Sequence, residues 1–415
     1  MTGTPDSAAI EAMDAADPLR SMRKRFTLPE GVIYLDGNSL GPASQEVLGE
    51  LERATREEWA EGLIRSWNDA GWFDLPLELG DRIGRLVGAA AGQVVVSDTT
   101  SINIYKALHA AMGLRPDRTV IVAEGDSFPT DIYMAAGAAA SRPQTQVRLA
   151  GVDAPVIEDL LDERVAAVLI NHVNYKTGEL QDMAALTRKI HDAGALAIWD
   201  LCHSAGALPV ELDAAGADFA VGCTYKYLNG GPGSPAFIYA AKRHQAEARQ
   251  PLSGWWGHAR PFAFEQSFDA DPGIRKFQCG TQAVLSLRVL KGALDIWQDV
   301  DMAVVREKSI ALTDLFIDLV EVRCGSFGLS LESPREGARR GSQVSFAHEH
   351  AYEIMQALIA RGVIGDFRAP STIRFGFAPL YIGYEDVWRA VDILDEVLRT
   401  AAWKDERYAV RAPVT

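Results

Sequence analysis

The chain has 415 residues, 48% of them hydrophobic and 23% charged, and its formal net charge is −15. This length is enough to bury a large core and predicts more than one domain. The acidic balance offers no basic surface to nucleic acid or to an anionic membrane, so neither is expected as a partner.

Cysteine usage and the N-terminus predict a cytoplasmic protein. Four cysteines lie far apart and form no CxxC pair, which argues against a zinc ribbon or a disulfide framework: Cys202, Cys223, Cys279 and Cys324. Residues 1–26 are interrupted by acids and lack the apolar centre of a signal peptide. No uncharged apolar run approaches the roughly 18 residues of a membrane span.

Seven apolar runs predict buried strands. Most are short and continuously apolar, as strands covered on both faces should be. The runs are QVVVSD (93–98), TVIVAE (119–124), QVRLAG (146–151), VAAVLINH (165–172), ALAIWD (195–200), DFAVG (218–222) and PAFIYAA (235–241). Helical patterns lie between several of them. This alternation predicts an α/β fold with a mostly parallel sheet and helices on both faces.

The pattern of strands and helices changes in the C-terminal region and predicts a smaller α+β domain. After helical stretches that begin at residue 280, the runs alternate between strand and helix: SQVSFAH (342–348), YEIMQALIARGV (352–363), TIRFGFAPLY (372–381) and YEDVWRAVDILDEVL (384–398). We therefore divide the chain into an N-terminal segment that packs on the small domain (1–60), a large domain (61–300) and a small C-terminal domain (301–415). With no Pro/Gly/Ser linker in the sequence, tight packing between them is expected.

An aspartate and a lysine follow two successive strands of the predicted sheet. Asp200 closes ALAIWD, and Lys226 follows DFAVG, so both are expected at the carboxyl edge, where such sheets bind ligands. Pyridoxal phosphate needs a lysine that forms a Schiff base with its aldehyde and an acid that pairs with its protonated ring nitrogen. The alternatives are an aspartate that caps the next turn and an ordinary solvated lysine.

Two further stretches could complete such a site. Thr100 and Ser101 stand at a predicted helix start, where free backbone N–H groups and the helix dipole favour a phosphate. Phe128 follows the next strand, and its ring could cover a planar cofactor. Ordinary helix capping and a place in the core are the respective alternatives.

Three other patterns are interpreted as structural. Residues 231–236 match GxGxxG/A, but a strand rather than a helix follows, so a dinucleotide site is not expected. We expect these glycines to form a sharp turn and to let the backbone approach a ligand. HEHAYE (348–353) is interpreted as a strand-to-helix turn and not as a metal site, because no further ligands accompany it. RATREEWAEG (53–62) is interpreted as a charged helix face.

Arg374 lies on an alternating strand of the predicted small domain. A guanidinium group binds a carboxylate through two parallel hydrogen bonds, which suits an amino-acid substrate. The alternative is a surface salt bridge, which would contribute little to stability.

Eight motifs, in order along nearly the whole chain, resemble those of kynureninase, a fold-type I enzyme of the class V aminotransferase group. They are YLDGNSLG (34–41), IRSWNDAGW (64–72), FPTD (128–131), HVNYKTG (172–178), WDLCHSAGA (199–207), TYKYLNGGPGS (224–234), GWWGH (254–258) and IRFGFAPLYIGY (373–384). The resemblance implies a seven-stranded large domain that binds pyridoxal phosphate, a homodimer and a role in the kynurenine pathway of tryptophan breakdown.

The resemblance also assigns roles to individual residues. Lys226 binds the cofactor covalently, Asp200 pairs with the ring nitrogen, and His203 lies at the polar edge of the ring. The other implied cofactor contacts are Thr100, Ser101, Phe128, Pro129, Thr130, Asp131, Asn171 and Tyr225, with Trp255 and Thr281 reaching the phosphate from a second subunit. At the position of Asn171, relatives carry other small polar residues. Ser39, Trp67 and Arg374 are the implied substrate contacts.

The implied reaction is hydrolysis of L-kynurenine to anthranilate and L-alanine. Trp67 and Thr281 resemble the pattern of bacterial enzymes that prefer kynurenine over 3-hydroxykynurenine. Tyr225 is the candidate acid that protonates the substrate's Cβ, a role that we expect to require a lowered pKa. The alternatives are another class V enzyme, such as a cysteine desulfurase, and a non-catalytic cofactor-binding protein. Desulfurases need a cysteine on a mobile C-terminal loop, and the stretch 364–374 contains none.

Overall fold

The computed structural model describes residues 5–151 and 155–411 of the chain. Thirteen strands are present in these ranges: β1 (Ile33–Tyr34), β2 (Val94–Val96), β3 (Val120–Glu124), β4 (Gln146–Ala150), β5 (Val165–Asn171), β6 (Leu196–Asp200), β7 (Phe219–Gly222), β8 (Phe237–Ala240), β9 (Ser330–Leu331), β10 (Gln343–Ala347), β11 (Val363–Ile364), β12 (Asp366–Arg368) and β13 (Thr372–Gly376). All seven runs that predict the main sheet form strands, β2 to β8.

The described ranges also contain thirteen α-helices. They are α1 (Ser7–Ala16), α2 (Gln45–Arg53), α3 (Ser66–Asp69), α4 (Leu75–Leu86), α5 (Thr100–Leu114), α6 (Pro129–Ala140), α7 (Met183–Asp192), α8 (Leu212–Ala215), α9 (Lys242–Gln245), α10 (Val284–Asp295), α11 (Met302–Cys324), α12 (Ala351–Ile359) and α13 (Tyr384–Arg399). None of the helices in the described part of the chain is long and apolar enough to cross a membrane.

The main sheet has seven strands in the order β2-β8-β7-β6-β5-β3-β4. All of its strands run parallel except β8, which pairs antiparallel with both β7 and β2. The predicted fold class, a mostly parallel sheet in an α/β protein, is therefore confirmed. The carboxyl ends of six strands meet at one edge, and at or beyond the ends of five of them lie predicted site residues: Thr100, Phe128, Asn171, Asp200 and Lys226.

Successive residues of the buried strands face two separate cores. In β6, Ala197 and Trp199 belong to the larger apolar cluster, whereas Leu196 and Ile198 belong to the smaller one on the opposite face. This alternation follows from the two-residue period of a strand. Helices cover both faces, which explains why these strands are apolar without interruption.

The C-terminal region forms a four-stranded antiparallel sheet in the order β12-β13-β10-β9. Helices α11, α12 and α13 contact one another or this sheet. The N-terminal segment joins this region in two places, since β1 pairs parallel with β11 and α1 contacts α13. Helix α2 instead contacts α10, so the segment from 5 to 60 touches both parts of the chain.

The interpretation of residues 53–62 as a charged helix face was wrong in one respect. Residues Ala54–Gly62 form a π-helical segment in which Glu58 is buried. The carboxylate of Glu58 forms an ion pair with Arg288 and accepts a hydrogen bond from the Trp72 indole at 2.7 Å. The wider turn of a π-helix departs from the α-helical period, so the sequence pattern did not indicate an inward-facing charge.

Candidate active site

A cavity of about 320 Å³ opens at the carboxyl edge of the main sheet. Its size lies within the range of small-molecule sites, roughly 300–1,000 Å³. The residues that line it are Asn38, Ser39, Thr99, Thr100, Ser101, Phe128, Thr130, Asn171, Tyr175, Asp200, Cys202, His203, Tyr225, Lys226, Arg368 and Arg374. Eleven of these were predicted from the sequence.

Asp200 lies at the base of the cavity, at the end of β6. It pairs in register with Asn171 of β5, and the backbone N–H of Cys202 donates to its Oδ1 at 2.6 Å. Burial raises the pKa of Asp200, and the hydrogen bond from Cys202 and the charge of Lys226 oppose that rise only in part. A buried carboxylate of this kind gains stability from a cationic partner.

Lys226 projects from the loop after β7, and its Nζ lies 2.9 Å from His203 Nε2. Gly41 of the YLDGNSLG motif fixes this loop, because its N–H donates to the Tyr225 carbonyl at 2.8 Å. A Cβ at position 41 would lie 2.3 Å from the Lys226 carbonyl oxygen, which no other residue type could accommodate without a backbone shift. The lysine is therefore held in place rather than loose on the surface.

The start of α5 provides the anion-binding part of the cavity. Thr99 caps the helix, and its side chain accepts from the N–H of Ile102. The Thr100 hydroxyl lies 3.7 Å from Cys202 Sγ, and the Ser101 hydroxyl lies 2.7 Å from the hydroxyl of Thr130 in α6. Backbone N–H groups of a first helical turn have no intrahelical partners, so they are available to a phosphate.

Phe128 lies at the mouth of the cavity, where 43% of the residue is exposed. It comes directly before α6, and its ring meets Tyr175 edge-on with the ring centroids 5.4 Å apart. At this exposure the phenyl ring is accessible to a planar ligand at the mouth of the cavity.

Arg374 is 1% exposed, so the alternative of a surface salt bridge is wrong. Its Nε donates to Asp366 Oδ1 at 2.8 Å, its Nη2 donates to the hydroxyl of Ser39 at 2.9 Å, and a second bond joins it to Asp366. Arg368 also donates to Asp366, at 2.6 Å. Two guanidinium groups therefore share one buried carboxylate at the wall of the cavity, and their excess positive charge suits an anionic ligand group.

A network of buried acids lies behind the cavity wall. Ser127 and Asn171 donate to Asp131 Oδ2 at 2.7 and 3.1 Å, and the Asn171 N–H donates to Glu124 at 2.7 Å. Burial, with Asp200 nearby, raises the pKa of Asp131 to about 8, and burial raises that of Glu124 to about 7. Asp131 thus supports Asn171 rather than lining the cavity itself.

Five predicted site residues do not line the cavity of this chain. Pro129 begins α6, and Asp131 lies behind the wall as described. Trp67 contacts the rings of Trp72 and Trp256, while Trp255 and Thr281 lie on exposed segments.

Five residues that line the cavity were not predicted. Four of them lie in or beside sequence motifs named above: Asn38, Thr99, Tyr175 and Cys202. Arg368 lies outside every motif. A predicted hairpin could have indicated Arg368 together with Asp366, since both lie on β12. This strand pairs antiparallel with β13 and places Asp366 opposite Arg374.

Two expectations about the loop after β7 need correction. The pKa of Tyr225 is raised rather than lowered, because the phenol is buried and lies near Cys223. Glycines 231 and 233 have positive φ and form the turn into β8, as expected, but neither lines the cavity of the described chain. The glycine that permits close backbone approach is Gly41.

The interpretation of residues 348–353 as a strand-to-helix turn is confirmed. The residues from His348 to His350 lie in the turn between β10 and α12. Within residues 5–151 and 155–411, no group of three or more His, Cys, Asp or Glu side chains is arranged to hold a metal ion.

Comparison with known sequences identifies a family. The family model described as kynureninase C-terminal domain matches residues 305–394. A kynureninase of Burkholderia pseudomallei is 53% identical over 410 residues, which cover 97% of this chain and 98% of that protein. A kynureninase of Pseudomonas fluorescens is 52% identical over 409 residues, with the same coverage.

Solved structures show the same fold at low sequence identity. A cysteine desulfurase of Escherichia coli superimposes with a TM-score of 0.76 over 92% of this chain and 98% of its own, at 18% identity. A cysteine desulfurase of Thermococcus onnurineus gives a TM-score of 0.75 over the same shares, at 16% identity. These similarities concern the fold alone.

Proposed function

This chain belongs to the kynureninase family, and we propose that it hydrolyses the Cβ–Cγ bond of L-kynurenine to give anthranilate and L-alanine. Pyridoxal 5'-phosphate is the proposed cofactor, bound covalently by Lys226. The observation that carries the proposal is that Lys226, Asp200 and Arg374 converge on one cavity.

The described residues fit this cofactor at three points. Burial raises the pKa of Asp200, which means that its carboxylate lacks a cationic partner. The protonated ring nitrogen of the cofactor would be such a partner and would stabilise the charged carboxylate. The N-terminus of α5, with Thr100 and Ser101, matches the phosphate. Phe128 offers a free aromatic face to the ring.

When bound, pyridoxal phosphate withdraws electrons from the substrate's Cα and so makes the bonds around it labile. Lys226 Nζ would be released when the substrate amine takes its place on the cofactor, and the free amine is then the base that removes the Cα proton. Asp200 keeps the ring nitrogen protonated, and the phosphate contacts at α5 hold the position of the ring. Water then adds to the γ-carbonyl of the substrate, the Cβ–Cγ bond breaks and anthranilate leaves.

Arg374 is the proposed partner of the substrate's α-carboxylate, with Ser39 beside it. Arg374 already bonds Asp366, and Arg368 bonds the same Asp366 oxygen. Arg368 can keep its hydrogen bond to Asp366 while Arg374 binds the substrate carboxylate. The buried Asp366 carboxylate is then never left unpaired.

Tyr225 is the proposed acid that gives Cβ its proton when alanine forms. Burial raises its pKa, so the phenol holds its proton near neutral pH and transfers it only to a strongly basic carbon. The variant Tyr225→Phe should release alanine more slowly than the wild type. A normal rate of alanine release, with only cofactor affinity reduced, would remove Tyr225 from this role.

We further propose that the active unit is a homodimer in the cytoplasm. Aromatic side chains around Trp255 form an exposed apolar surface, a feature that often marks an interface between proteins. Trp255, Phe262 and Phe264 are 41%, 59% and 71% exposed, and their rings contact one another. A second copy that covers this surface would bring Trp255 and Thr281 to the partner's cofactor.

Trp67, which packs beside this surface, and Thr281 support a preference for kynurenine over 3-hydroxykynurenine. The family resemblance implies that the animal enzymes, which act on 3-hydroxykynurenine, carry His and Asn at these two positions.

The alternatives have weaker support. The desulfurase likeness rests on the fold, and Cys324 is buried at the end of α11 rather than on a mobile loop. A non-catalytic cofactor-binding protein would not need the buried substrate clamp around Arg374.

The test is product analysis with purified protein, pyridoxal phosphate and L-kynurenine. Anthranilate, followed by its fluorescence, and alanine should form in equal amounts. Release of sulfur from cysteine without any anthranilate from kynurenine would instead support the desulfurase alternative.

A further inference from the structure

Gln343, which lies in none of the eight family motifs, joins two parts of the site. It is the first residue of β10 and is fully buried. Its Oε1 lies 2.9 Å from Nδ1 of His203, and its Nε2 donates to the carbonyl oxygens of Tyr175 at 2.8 Å and Asn174 at 3.2 Å.

These contacts fix the orientation of the Gln343 amide. Carbonyl oxygens only accept hydrogen bonds, so the NH₂ group must face Tyr175 and Asn174. The amide oxygen is then left for His203, and an oxygen there can only accept. Nδ1 of His203 must therefore carry a hydrogen.

The other ring nitrogen of His203 faces Lys226 at 2.9 Å. The imidazole is buried, and the charges that face it are those of Lys226, Arg374 and Arg368; burial first, and these charges next, lower its pKa well below the usual value. A neutral imidazole with a hydrogen on Nδ1 has a lone pair on Nε2. That lone pair accepts a hydrogen bond from the Lys226 amine.

We propose that Gln343 is a positioning residue that holds His203 as the Nδ1–H tautomer, with its Nε2 lone pair directed at the amine of Lys226. Gln343 touches neither the lysine nor the reacting atoms, and it acts through the histidine. The assignment of the tautomer does not depend on the proposed function, whereas its effect on turnover does.

The loop that anchors Gln343 also anchors the substrate clamp. The Tyr175 carbonyl accepts from both Gln343 and Arg374, and the Ser345 hydroxyl donates to the Lys176 carbonyl at 2.5 Å. Gly178 ends this loop with a φ of +74°, and a Cβ at this position would lie 2.9 Å from the Gln343 side chain. The HVNYKTG motif thus connects the tautomer of His203 to the placement of Arg374.

The test is nitrogen NMR on full-length protein labelled with nitrogen-15 in its eight histidines. The chemical shifts of the two ring nitrogens distinguish one tautomer from the other, and a His203→Asn variant assigns the signals. Spectra are recorded with pyridoxal phosphate bound and after its removal. The wild type should show a bare Nε2 and a protonated Nδ1.

Two substitutions separate the roles of the glutamine. Gln343→Met removes the acceptor, so His203 should become a mixture of tautomers. Gln343→Glu keeps the acceptor and adds a negative charge, so His203 should retain the Nδ1 hydrogen and titrate at a higher pH. Gln245→Met is the matched control, because Gln245 is equally buried and its amide also donates to two backbone carbonyls.

Activity provides a second readout. If the proposed function holds, Gln343→Met should lower kcat at least about tenfold, with a smaller change in KM, and Gln343→Glu should shift the pH profile of kcat. A wild-type His203 with its hydrogen on Nε2, or a tautomer unchanged in Gln343→Met, would overturn the proposal. Absence of kynurenine turnover in the wild type would instead contradict the proposed function and leave the NMR result valid.

Discussion

At the scale of single residues, Lys226 is the group on which the chemistry depends. The variant Lys226→Ala should fold and should lose the covalent cofactor, because no other amine lines the cavity of the described chain. The measurement is peptide mass after borohydride reduction of the protein with pyridoxal phosphate. Lys176, on the loop beside the cavity, is the matched control, and Lys176→Ala should keep the adduct. An adduct retained by Lys226→Ala would refute the assignment.

The raised pKa of Asp131 predicts how the free energy of unfolding depends on pH. Its folded pKa of about 8 lies above the usual value, so between about pH 4 and pH 8 the unfolded chain binds fewer protons than the folded chain. The free energy of unfolding should therefore fall as pH rises through this window, by at most about 1.4 kcal/mol per pH unit for one group. Asp131→Asn should flatten this fall in urea unfolding of cofactor-free protein. An unchanged slope would contradict the buried, protonated acid.

Several of the residues predicted from sequence are those that a strand end positions. Asp200 and Lys226 follow neighbouring parallel strands, so their shared edge could be inferred from the chain order. The partner of Arg374 could not, because Asp366 lies on a three-residue strand whose pairing depends on the hairpin register. Gln343 was missed because its role depends on a contact with His203 that is distant in sequence.

At the scale of elements, the π-helical segment from Ala54 to Gly62 buries one charged side chain, that of Glu58. Glu58→Ala would remove one of the two ion pairs of the buried Arg288, which keeps Glu50 at 3.3 Å, and would leave the Trp72 indole N–H without its acceptor. This should cost about 1–3 kcal/mol of the free energy of unfolding. Glu57→Ala, one residue earlier and exposed, should change it by less than about 0.5 kcal/mol. Chemical denaturation compares the two variants. Equal losses of unfolding free energy in the two variants would contradict a stabilising role for the buried Glu58 carboxylate.

The main sheet was predictable and the short pairings were not. Six of its seven strands are apolar runs that are buried on both faces and leave a clear pattern in the sequence, whereas the edge strand β4 is mostly exposed or half-buried. Strands β1 and β11 have two residues each and pair across most of the chain, so no local pattern indicates them. The π-helical segment was also missed, since its period differs from the one that an α-helical pattern reveals.

At the scale of the whole molecule, the aromatic surface predicts self-association. Sedimentation should give twice the 45.1 kDa mass of one chain. Phe264→Glu should favour the monomer and reduce turnover, because the charge would be buried at the interface. Val322→Glu is the control, since Val322 is 68% exposed on α11. A monomeric wild type with full activity would contradict the proposal that a second chain completes the site.

The central claim is that the cavity hydrolyses the Cβ–Cγ bond of kynurenine, and the most direct measurement is the mass of the products formed in water enriched in oxygen-18. The mechanism predicts one heavy oxygen in the carboxyl group of anthranilate and none in alanine, because water adds to the γ-carbonyl before the bond breaks. Anthranilate without heavy oxygen, or a keto acid in place of alanine, would contradict it.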